Sequence, residues 1–231
     1  MARTKTFYDL RDAFALPGCP ICRLKAEFTD RLLEGIIYEQ VNDPGLRTKF
    51  RQARGLCPEH AWGLARRGAA LGIAILTRDV FRELEREMSR PQILFRSLWS
   101  RHGISGRARE VAARLLPRRV CPVCEHVQEF EQACYDSLGE NLLGEDGLLG
   151  LYRASDGLCL QHFCGVLARV HEGRVLEELV AVQRELWEKL EAELSELIRK
   201  NDYRFCGEPM GVEAVSWLRA LAVLAGERRE G

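Results

Sequence analysis

Cys19-Pro20-Ile21-Cys22 is followed, after a spacer of 34 residues, by Cys57-Pro58-Glu59-His60. Cys121-Pro122-Val123-Cys124 is followed, after another 34 residues, by Cys159-Leu160-Gln161-His162. All four positions recur at an offset of 102, and the same ungapped register aligns Glu27 with Glu129, Phe28 with Phe130, Leu46 with Leu148, Arg51 with Arg153 and Gly63 with Gly165. Six thiols and two imidazoles repeated in one order constrain the chain more than any other feature. The pattern reads as an internal duplication: two modules, each carrying C-x2-C, a spacer and C-x2-H.

Ligands two residues apart let one turn of backbone present both side chains to a single ion. Two such pairs complete a tetrahedral shell of three thiolates and one imidazole. The expectation is therefore two structural zinc sites, one per module: Cys19, Cys22, Cys57 and His60 in the first, Cys121, Cys124, Cys159 and His162 in the second. A closed shell leaves no open position for catalysis. Two iron–sulfur clusters, for electron transfer or redox sensing, are the alternative, because a mostly thiolate shell suits them as well. Of the other cysteines, Cys134 and Cys164 align with Leu32 and Trp62, which predicts small apolar core filling; Cys206 has no counterpart.

Helical periodicity dominates. Leu24, Phe28, Leu32 and Ile36 form an apolar stripe, which Asn42-Asp43-Pro44-Gly45 interrupts. A short helix over about Leu46–Ala53 ends at Gly55, a left-handed cap. Pro58 then opens a helix expected to run to Met88. The second module repeats the scheme, with a break at Gly144 to Gly147, a cap at Gly157 and a long helix after His162. No segment alternates as a strand does. The predicted fold is all-α: a metal-binding module over 1–90, an Arg-rich helical linker over 91–120 divided at Gly103 and Gly106, a second module over 121–200, and a C-terminal tail and capping helix over 201–231.

The chain has 34 basic and 34 acidic residues, but residues 1–120 carry 23 of the basic and 13 of the acidic, against 11 and 21 in the remainder. Balanced charge excludes the overall basicity of a typical nucleic-acid binder. Between residues 96 and 119 seven Arg face one Glu, yet the linker supplies only Phe95 and Trp99 for stacking, which disfavours nucleic acid there. The opposed halves point instead to a protein partner or to self-association. No apolar run approaches membrane-spanning length, and Asp9 and Asp12 interrupt the opening segment, so a cytoplasmic location is expected.

With CPIC, GLCPEHAW, CPVC and GLCLQHF aligned, the chain resembles a bacterial and archaeal family known only as a domain of unknown function, with a doubled CPxC…GxCxxH pattern. The tail DYRFCGEPMGVEAVSWLRA also resembles that family's C-terminal end. The resemblance implies metal binding at the eight ligand positions and no particular activity. The motif survey finds no P-loop, dinucleotide-binding glycines or nucleophile elbow. A helical scaffold that binds another macromolecule is the reading favoured; an enzyme with a pocket between the modules, near Glu208 and Trp217, is the remaining one.

Overall fold

The computed structural model describes residues 3–89, 104–205 and 207–227. Its helices are α1 (Lys5–Phe14), α2 (Pro20–Tyr38), α3 (Pro44–Gln52), α4 (Pro58–Gly63), α5 (Ala70–Met88), α6 (Ile104–Leu115), α7 (Pro122–Glu140), α8 (Leu149–Ala154), α9 (Leu160–Leu167), α10 (Gly173–Lys200) and α11 (Ser216–Ala225), with a 3-10 turn at Val212–Val215. Among the described residues there is no strand, and the fold is all-α as the periodicity predicts. No helix among them is long and apolar enough to cross a membrane.

Local chemistry explains most boundaries. Thr4 caps α1 by accepting from Phe7 N, and Asp43 caps α3 by accepting from Leu46 N at 2.6 Å. Proline opens α2, α3, α4 and α7, where its missing N–H costs nothing. Gly55 (φ +102°) and Gly157 (φ +81°) hold the left-handed conformation that the GLC motifs need. The helix expected over Pro58–Met88 is two helices, because Arg67-Gly68 turns the chain with Gly68 at φ +84°. The helix expected after His162 is likewise split between α9 and α10. Gly106 lies inside α6 and does not divide it, while Pro91 to Gly103 falls outside the described residues. The opening helix α1 went unread in the sequence, although it buries Phe7, Leu10, Ala13 and Phe14.

The chain groups into two compact units: residues 1–27 with 129–231, and residues 28–128. Each therefore draws on both sequence repeats, and the boundaries fall inside α2 and α7. In the first unit Phe7, Leu10, Phe14, Leu138, Leu148, Tyr152, Leu158, Val166 and Leu179 pack as one core. In the second, Leu33, Ile36, Ile37, Phe50, Leu76, Val80, Val123 and Val127 do the same. On α2 the buried line is thus Leu33, Ile36 and Ile37, with Phe28 and Leu32 only partly covered. Within the first unit, first-half cations meet second-half carboxylates: Arg3 lies 3.8 Å from Asp146, and Lys25 2.9 Å from Glu131.

The two GLC glycines give a paired test. An added Cβ at Gly55 meets nothing within 4 Å, whereas at Gly157 it would lie 2.8 Å from Leu186 Cδ1 and 3.1 Å from Gln183 Nε2. Gly55→Ala should cost only the left-handed strain, about 1–2 kcal/mol. Gly157→Ala should lower the melting temperature further, since it also displaces Gln183. Calorimetry of the two variants checks this order.

Candidate metal centres

The first cysteine of every pair directly precedes a helix: Cys19 before α2, Cys57 before α4, Cys121 before α7 and Cys159 before α9. The second ligand lies in the first turn. Exposed amides and the helix dipole there favour thiolate over thiol.

The structure gathers all eight predicted ligands into two groups of four, but not by module. One group is Cys19, Cys22, Cys159 and His162; the other is Cys57, His60, Cys121 and Cys124. Within each group the ligand atoms lie within 4.8 Å of one another. The expectation of one centre per module is therefore corrected: each set joins the C-x2-C of one repeat to the C-x2-H of the other. The physical reason is the length of α2. Its 19 residues form a rod of about 28 Å, and α3, of nine residues, carries the chain back by only about 13 Å. Cys57 consequently arrives beside the later part of α2, where a Cβ on Gly63 would touch Leu33 Cδ1 at 2.8 Å. The start of α7, not the start of α2, supplies its partners.

In the first group His162 Nδ1 lies 3.4 Å from Cys19 Sγ, 3.3 Å from Cys22 Sγ and 3.2 Å from Cys159 Sγ, and the Cys22 and Cys159 sulfurs are 3.7 Å apart. In the second, His60 Nδ1 lies 3.2 Å from Cys57 Sγ, 3.6 Å from Cys121 Sγ and 3.4 Å from Cys124 Sγ, with Cys57 and Cys124 3.6 Å apart. A tetrahedron with metal–sulfur bonds near 2.3 Å and metal–nitrogen bonds near 2.0 Å has edges of about 3.5–3.8 Å. Both groups fit one ion.

Electrostatics makes the same demand. Contact with Cys159 and Cys22, and then burial, pushes the Cys19 thiol far above its ordinary range, while hydrogen bonds from Cys19 and Cys22 hold Cys159 far below. Burial, and next the Cys57 sulfur, pushes Cys124 up to about 12. Burial alone would discharge His162, but its contacts with Cys159, Cys22 and Glu131 outweigh that and raise it to about 11. Three thiolates so close cannot all ionise unless a cation lies among them.

Two supporting residues escaped the sequence reading. Glu131 Oε1 sits 2.9 Å from His162 Nε2 and 2.9 Å from Lys25 Nζ. Burial works to raise the Glu131 pKa, yet hydrogen bonds with His162 and Lys25 hold it below the ordinary carboxylate range. The carboxylate fixes the ring so that Nδ1 faces the sulfurs. Gln183, fully buried, accepts from Leu158 N at 3.1 Å and donates to Leu158 O at 3.2 Å, anchoring the residue before Cys159. Each interrupts an apolar helical line, Val127-Glu131-Cys134-Leu138 and Leu179-Gln183-Leu186, and that interruption was the available signal.

Cys134 is fully buried in the first core, as its alignment with Leu32 predicts. Cys164 is exposed, which corrects the core-filling expectation; its counterpart Trp62 is itself 79% exposed, so alignment with a large apolar residue was no evidence of burial. Cys206 lies outside the described residues. Glu208 pairs with Arg199, and Trp217 is half exposed.

An all-helical protein with two buried Cys3His groups is the class that fold and site define. The chain belongs to a family of unknown function, DUF6062, whose model matches residues 2–230. It is also similar to the "Uncharacterized 23.9 kDa protein in xynA 3'region" of Caldicellulosiruptor sp. (strain Rt8B.4), with 27% identity over 193 residues, covering 80% of this chain and 83% of the relative. No solved structure matches it.

Glu131→Gln should weaken metal binding by about 10–100-fold at one centre and leave the other unchanged, read by competition with a chromophoric chelator. Cys134→Ala should cost about 1–2 kcal/mol through lost packing, and Cys164→Ala within about 0.5 kcal/mol, both with full metal content.

Proposed function

We propose that the protein is a metal-stapled helical scaffold holding two single zinc ions, one in each Cys3His group. The observation that carries this reading is the spacing of the ligand atoms, 3.2–3.7 Å along the edges recorded within both groups. Zinc takes sulfur and nitrogen ligands tetrahedrally and brings no redox chemistry. An iron–sulfur cluster places its thiolates on different irons and needs them spread farther apart than the edges of one tetrahedron. Four protein ligands leave no open position, so the centres supply folding energy and not catalysis. Thiolate ligands persist in a reducing compartment, which fits a cytoplasmic location.

Binding a protein partner, or a second copy, is the work assigned to the scaffold. In support, Trp217, Leu221 and Leu224 are each at least half exposed along one line of α11. The basic and acidic halves of the sequence would add register and rate to such a contact.

The ligand pairing is tested by combining substitutions. Cys22→Ser with Cys159→Ser removes two ligands from one centre and should cost one of two zinc equivalents. Cys22→Ser with Cys57→Ser removes one ligand from each and should cost both. Elemental analysis after gel filtration reads the result; iron with absorption in the visible range would contradict the zinc assignment.

A further inference from the structure

The first unit holds a cavity of about 290 Å³ between α10, α11 and the segments preceding α2 and α9. Leu158, Leu186, Leu190, Leu218 and Val223 supply apolar wall, and Trp187 adds an aromatic ring. Two carboxylates line the same cavity. Asp156 Oδ2 accepts from Gly18 N at 2.7 Å, and Glu227 Oε1 accepts from Cys19 N at 3.1 Å. The backbone thus fixes both, each has one oxygen to spare, and among the described residues neither has a cationic partner. The remaining charged residues of the wall are Glu193, paired with Arg219, and Lys189, which leaves one net negative charge. On the zinc reading, the adjoining centre of Cys19 and Cys159 adds a further net negative charge.

These carboxylates have no counterpart at the other centre. At the matching offset of 102, the other repeat has Arg54 in place of Asp156 and Val120 in place of Gly18. At Gly18, φ +86°, an added Cβ would run into the Glu227 carboxyl. The second centre is built from the same ligand types without any of these three features. Glu227 also braces the centre, accepting from Cys19 N and placing its own N–H 3.5 Å from Cys22 Sγ; what sets this centre apart is that two carboxylates line a cavity with apolar wall beside it.

We propose that this cavity binds a primary amine carried on an apolar body. The ammonium group sits between Asp156 and Glu227, where two fixed acceptors replace its water, and the body fills the space lined by the leucines and Trp187. A free amine and the N-terminal α-amine of a peptide share this chemistry.

The test is calorimetric titration of the metal-loaded protein with phenethylamine and with leucyl-alanine amide, against 2-phenylethanol and N-acetyl-leucyl-alanine amide as neutral counterparts. Each amine should bind at least about tenfold tighter than its neutral counterpart. Asp156→Asn with Glu227→Gln should erase that preference while metal content stays at two equivalents, which separates failure of this site from failure of the metal assignment. If the double substitution disturbs metal content, Glu227→Gln alone serves, and it should weaken amine binding without changing the affinity for 2-phenylethanol. Tighter binding of the peptide identifies a chain N-terminus as the ligand, and tighter binding of phenethylamine a free amine. Equal binding of amines and neutral counterparts, no binding of either amine, or an undiminished preference in the folded variant overturns the proposal.

Discussion

Packing three sulfurs and an imidazole into van der Waals contact inside a protein is unfavourable without a cation. Burial penalises each thiolate, and each thiolate penalises the next. The raised Cys19 and Cys124 thiols express this cost. A dication at the centre of each group would offset these terms and turn the clustered thiols into cross-links. The helix starts follow from this. Cys19, Cys57, Cys121 and Cys159 each directly precede a helix, so a metal in each group would pin the starts of α2, α4, α7 and α9.

The crossed pairing gives those links long reach. Cys22 and Cys159 are 137 residues apart, and Cys57 and Cys124 are 67 apart. A pairing within each repeat would have closed only the 34-residue spacers. Both centres join one repeat to the other, so neither repeat holds a complete ligand set. The two centres nevertheless differ in their surroundings. His162 is backed by Glu131 and Lys25, while the position matching Glu131 in the other repeat is Thr29, a neutral side chain.

The candidate ligands were legible because metal–thiolate chemistry favours short spacings, and C-x2-C with C-x2-H states its purpose locally. Their pairing was not legible from spacing, because a spacer that permits a return does not compel one. What decides it is the rigid length of α2, and the sequence announced that helix without announcing its consequence. The all-α class, the break at Asn42 to Gly45 and the positive φ of Gly55 and Gly157 were readable from residue chemistry, although the helices before those glycines end on Ala53 and Ser155. The break at Gly68 was hidden because helix-forming residues flank it on both sides. Cys164 misled because alignment transferred size without exposure. Glu131 and Gln183 were in plain view as polar interruptions of apolar stripes, but only the fold shows which ligand each one supports.

The central claim is that each metal ion takes its ligands from both repeats. Loading the protein with NMR-active cadmium and correlating each cadmium resonance with the cysteine β-protons reads this directly. Two resonances are predicted, one coupled to Cys19, Cys22 and Cys159, the other to Cys57, Cys121 and Cys124. A single resonance coupled to Cys19, Cys22 and Cys57 together would contradict the account.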